Sequence, residues 1–92
     1  MGNSNEIMKM IFTLKSGKSI VIHMYKDHCL NIYEQVLKYD INNNTMSDKI
    51  NLCKKCKDDI TEAIVLFISE LAALQINEPD EKINKNIYKI VN

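Results

Sequence analysis

Two thiols three residues apart are the first chemistry the sequence offers: Cys53-Lys54-Lys55-Cys56. Thiolates at this spacing can hold one tetrahedral Zn²⁺ from a tight turn, and the two intervening lysines favour the thiolate form. His23, His28 and Cys29 are the residues that could complete the ligand set. Two features weigh against such a zinc-stabilised module. No second close-spaced pair follows, and His28 and Cys29 are adjacent, which suits chelation poorly. A redox reading needs the pair at a helix N-terminus within a βαβ pattern, and the chain has none. The competing reading makes Cys29 a core residue and the other two incidental thiols.

Other reactive types are no better placed. His28 opens a helical pattern, where the helix dipole disfavours its cation and leaves a neutral base. No Ser or Cys nucleophile with an orienting acid accompanies it, so the expectation is a protein that is not an enzyme. Lys15-Ser16-Gly17-Lys18 lacks the full phosphate-loop pattern and closes a hairpin instead of opening a helix. Lys54, Lys55 and Lys57, with Lys82, Lys85 and Lys89, suggest a basic patch, but Asp58, Asp59, Asp80 and Glu81 stand beside them. A solvated mixed surface is the default for such patterns.

Charge and composition narrow the function classes. The 92 residues hold twelve lysines, no arginine and twelve acids, for a formal net charge of zero. Arginine is the usual bidentate reader of guanine and phosphate, so its absence weighs against sequence-specific nucleic-acid recognition. The bias toward Asn, Lys and Ile offers a second reason for the missing arginine, an AT-rich genome. In composition the chain resembles small proteins of phages and mobile elements, with no motif behind that likeness. Three cysteines, an odd number, and no export signal point to free thiols in a reducing cytoplasm. No apolar run approaches the ~18 residues of a membrane helix.

The elements that must position these groups follow from periodicity. The whole chain reads as a single α+β domain, 1–92, with the polar residues 1–5 flexible or extraneous to the fold. Ile7 to Tyr25 reads as a hairpin. A three-residue Lys15-Ser16-Gly17 loop pairs Phe12 with Ile20 and Met10 with Ile22, collecting the apolar set on one face with Gly17 at positive φ. The other face (Lys9, Ile11, Thr13, Ser19, Val21, His23 and Tyr25) is mixed, so something covers it or it belongs to an interface. Asp27 to Tyr39 reads as a helix capped by Asp27, with Cys29, Leu30, Tyr33, Val36 and Leu37 as its apolar stripe. Asp40 to Asp48 is a loop, and Lys49 to Lys57 an extended piece followed by a turn.

Ile60 to Ile76 is apolar nearly all round and is predicted as a buried helix, and Pro79 to Val91 as a second, with a β-rich Ile87–Val91 as the competing reading. The expected architecture is therefore an N-terminal β-hairpin packed on a layer of two to three helices, with room for one further short strand. A small domain struggles to surround so apolar a helix with its own chain, and a second copy is the natural cover. Ile64, Phe67, Ile68, Leu71 and Leu74 are its expected interface residues. The function expected on these grounds is that of a non-enzymatic interaction or modulator protein, homo-oligomeric and bound to another protein. The alternatives are a nucleic-acid or nucleotide binder using lysine patches formed on oligomerisation, and a zinc module through Cys53 and Cys56.

Overall fold

The computed structural model describes residues 6–40, 42–43, 47–56, 59–79 and 87–91, with the backbone alone for 55, 56 and 59–61. Residues 1–5 lie outside them, as do Lys57, Lys82, Lys85 and the Lys55 side chain of the expected basic patch. The architecture is mixed α+β: among the described residues there are six strands in one sheet, one α-helix and one 3₁₀ turn. In chain order these are β1 (Ile7–Leu14), β2 (Ser19–Tyr25), α1 (Lys26–Lys38), β3 (Lys49–Cys56), β4 (Asp59–Phe67), the 3₁₀ turn Ile68–Glu70, β5 (Leu71–Asn77) and β6 (Tyr88–Ile90). Across the sheet the order is β4-β3-β6-β2-β1-β5.

The hairpin has the register that parity demands. Met10 pairs with Ile22 and Phe12 with Ile20, and Gly17 closes the loop at φ 97°. Met10, Phe12, Ile22 and Met24 are all buried on the resulting face. Against it lies α1, through Cys29 and Ile32, which are fully buried, and the partly buried Val36. The helix begins at Lys26, one residue earlier than expected. Its N-cap is Tyr25, without a side-chain cap bond, and Asp27 sits in the first turn instead.

Among the described residues one α-helix forms where a layer of two to three was expected, and residues 80–86 of the expected last helix lie outside them. Ile60–Ile76 is two strands joined by the 3₁₀ turn, and among the described residues of the last segment Tyr88–Ile90 is a strand. The reason is in the sequence. Ile64, Leu66 and Ile68 alternate with Ala63, Val65 and Phe67, so the run is apolar at period 2 as well as period 3.6. Periodicity alone cannot separate a strand with two apolar faces from a buried helix. The β-branched Ile60, Ile64 and Val65 favour the strand.

That change reshapes the molecule. β4 and β5 are the two edges of the sheet, and only Ile68–Glu70 separates them in the chain. In a flat six-stranded sheet the edges would lie ~24 Å apart, whereas four residue steps reach at most ~14 Å. The sheet must therefore curl until its edges approach. Hydrogen bonds fix the closure: Lys15 N donates to the Glu70 carbonyl (2.9 Å) and Ile68 N to the Asp48 carbonyl (2.7 Å). Ile68, Leu66, Ile50, Leu52 and Tyr88 complete the core on the side where α1 lies.

Candidate functional site

The thiol pair lies along a strand. β3 runs through Cys56, so the ~10 Å that three strand steps cover separates the two Cα atoms, instead of a tight turn bringing them together. Cys53 is a free, buried thiol on the sheet face opposite Leu52, with Ala63 and Lys89 as its cross-strand neighbours. The Cys56 side chain is outside the described residues. Cys29 is buried in the core, its Sγ donating to the Met24 carbonyl at 3.7 Å. Burial pushes this thiol up to about 11, which keeps it protonated and a poor nucleophile. His28 uses Nδ1 to accept from Ile90 N at 3.4 Å and so helps tie β6 to α1. Among the described residues no group of three or more His, Cys, Asp or Glu side chains is arranged to hold a metal ion.

One polar cluster sits at the end of the core that β3, β4 and β6 share. Lys54 and Glu62 are directly opposed across β3 and β4, with Lys54 Nζ 3.0 Å from Glu62 Oε1. The Tyr88 hydroxyl donates to the same oxygen at 2.6 Å, and Lys54 Nζ stands 5.7 Å from the Tyr88 ring centre. Burial, then the Glu62 carboxylate, pushes Tyr88 up to about 12. The Tyr88 hydrogen bond, then Lys54, lowers Glu62 below the usual carboxylate value. Both shifts carry the groups away from neutral pH. Acid–base catalysis needs the opposite, a pKa drawn toward the working pH. The cluster is arranged to hold three strands together.

The five expected interface residues do not share one surface. Ile68 is in the core, Ile64, Leu71 and Leu74 are partly buried against it, and Phe67 points to the other face of the sheet, 44% exposed. An uncovered apolar surface lies instead beside α1. Leu30, Tyr33 and Leu37, at 45%, 43% and 66% exposure, form a second stripe next to the buried Cys29, Ile32 and Val36. This stripe overhangs β5, and two cavities of 260 and 320 Å³ run along the junction. Both are lined by Tyr33, one with Leu71 and Leu74, the other with Met8 and Ile76.

The chain matches no protein-family model, no curated protein and no solved structure. The geometry alone therefore carries the functional reading.

β5 is the feature that sequence reasoning missed. Among the described residues it pairs with β1 alone, and its seven residues, LAALQIN, include no charge and no proline. A one-residue bulge at Ala72, where the β1 register shifts, leaves Ala73–Asn77 as a regular edge. Edge strands are normally defended by charges, prolines or shortness, because their unpaired backbone groups invite another strand. The other edge, β4, carries Asp59 and Glu62.

Proposed function

We propose that this chain is a non-enzymatic interaction protein that works as a homo-oligomer and engages a second protein through the same kind of apolar contact. The observation that carries the reading is the undefended edge of β5 beside the exposed Leu30, Tyr33 and Leu37 of α1. An uncharged strand is self-complementary, since a second copy brings no like charge to the seam. The zero net charge removes long-range repulsion between copies as well. Antiparallel pairing of β5 with its counterpart about a two-fold axis normal to the sheet puts both α1 helices on the same side. Their apolar stripes then face each other across the seam, so one contact covers both features.

Size-exclusion chromatography with light scattering at tens of micromolar tests this. The wild-type chain is expected as a dimer. Ala73→Lys with Gln75→Lys adds like charges at two exposed edge positions and is expected to give a folded monomer. The matching pair of Glu substitutions is expected to be monomeric alone and to form a 1:1 heterodimer with the Lys variant. A monomeric wild type overturns the reading.

A further inference from the structure

The hydrogen-bond parity of the sheet shows which backbone groups of β5 are spare. Leu14 N donates to the Lys18 carbonyl at 2.8 Å, and Lys15 N to the Glu70 carbonyl at 2.9 Å. In an antiparallel strand both backbone groups of a residue point to one neighbour, and successive residues alternate between neighbours. The even-numbered residues of β1 therefore bond to β2, while Ile11 and Thr13 bond to their β5 partners Gln75 and Ala73. Leu74 and Ile76 are left to present N–H and C=O to the free side, where no strand lies among the described residues. Their side chains point to the α1 side and pack against the core. The two cavities lie at these positions: Leu74 lines one, Ile76 lines the other, and Tyr33 is common to both. Residues bonded antiparallel to Leu74 and Ile76 would be two apart in their own strand, with both side chains on the α1 side. β5 thus offers two backbone bonding positions, each with an apolar cavity beside it.

We propose that the second protein engaged here supplies an extended segment with large apolar residues two apart. The segment pairs antiparallel with β5 and seats one side chain in each cavity. This rests on the reading of β5 as an open edge and adds the chemistry of the partner. Strand addition takes its affinity from main-chain hydrogen bonds and its specificity from pockets for alternate side chains. A second copy does not fill the cavities, because Leu74 and Ile76 are packed against the core of their own chain. In a self-paired edge the same residues of the other copy are held in the same way. A free segment carries no such commitment, and cavities of 260 and 320 Å³ each admit one Leu, Ile or Phe side chain. Its intervening residues lie beside Ala73, Gln75 and Asn77, which are exposed and uncharged and impose little selection. Both occupants need the same N–H and C=O groups of Leu74 and Ile76, so strand addition and self-association exclude each other. The dimer is then the resting form, and the partner segment opens it.

Fluorescence anisotropy with the labelled, capped heptapeptide ETLTITE, whose Leu and Ile stand two apart, is the test. The host is the full chain carrying Ala73→Lys with Gln75→Lys, in which like charges keep copies apart while a threonine beside either lysine meets no repulsion. One-to-one binding is expected. Replacing the peptide's Leu and Ile by Ala keeps its charge and is expected to weaken binding at least ~10-fold, as loss of both anchors. N-methylation of the Leu and Ile amides, which bond to β5, is expected to weaken it as much. N-methylation of the threonine between them, whose amide points away from β5, is expected to leave affinity within ~2-fold. With the wild-type chain, excess peptide is expected to convert the dimer into a monomer–peptide complex on size exclusion. No binding to the Lys variant at about 1 mM peptide overturns the proposal. So does loss of binding on methylating the central threonine, and so does a peptide that binds the wild-type dimer without dissociating it. A monomeric wild type overturns self-association alone, and the same peptides then test strand addition on the wild-type chain.

Discussion

Asp48 and Ser69, twenty-one residues apart in the chain, are joined by two hydrogen bonds to the same carboxylate. Ser69 N donates to Oδ1 at 2.8 Å and Ser69 Oγ to Oδ2 at 3.0 Å, while the Asp48 carbonyl accepts from Ile68 N. The acid that precedes β3 therefore satisfies the backbone donors at the start of the 3₁₀ turn, which has no side-chain cap of its own. This contact holds the corner at which the curled sheet closes.

Asp48→Ala is accordingly expected to cost about 2–3 kcal/mol, since it leaves a part-buried N–H and hydroxyl without their charged acceptor. In a domain of this size that lowers the melting temperature by roughly 10 °C or more. Asp48→Asn keeps one acceptor oxygen and is expected to fall between the two. Urea unfolding of the three proteins checks the order, and an Asp48→Ala protein as stable as wild type would remove the closure argument.

How much of this was legible from sequence depended on whether local pattern or distant pairing decided it. The Met10–Ile22 register follows from parity and one glycine, both local, and the structure has it. Helix α1 was legible in extent but not in which stripe it buries. Residues 29, 32 and 36 and residues 30, 33 and 37 are both apolar and both helically spaced, and only the position of β5 leaves the second set uncovered. Ile60–Ile76 was illegible because every spacing in it is apolar. The mixed sheet face opposite α1 was half visible in Lys9, Val21, His23 and Tyr25. Its other half, Lys49, Phe67 and Lys89, arrives from strands that only the tertiary fold brings alongside.

Gly17 offers a test of the hairpin that is free of packing effects. Its φ of +97° lies where side chains are strained, yet nothing stands within 4 Å of the position a Cβ would occupy. The cost of Gly17→Ala is thus wholly conformational, about 1 kcal/mol. Asn tolerates positive φ better than Ala, so Gly17→Asn is expected to cost less. Denaturant midpoints for the two variants measure the difference. Equal and negligible effects would mean that the loop does not need the left-handed residue.

The Lys54–Glu62–Tyr88 cluster sets the pH range over which β3, β4 and β6 stay joined. Glu62 titrates below its ordinary value in the folded chain, so its contribution is present above 4.5 and is lost as pH falls through the lower folded value. Tyr88 shows the reverse case. Its folded value of about 12 exceeds the ordinary 10.0, so its contribution is whole below pH 10 and disappears as pH rises from there through 12. Absorbance at 295 nm is expected to show one tyrosine ionising near pH 12, a step absent in Tyr88→Phe. Tyr39, which burial and Asp48 also push up, remains in that variant as a separate late group. Glu62→Gln removes the carboxylate and is expected to bring the Tyr88 step down toward its burial-only value. A Tyr88 step that stays near 12 without Glu62 would show that burial alone sets it, and that the 2.6 Å hydrogen bond contributes nothing to joining β6 to β4.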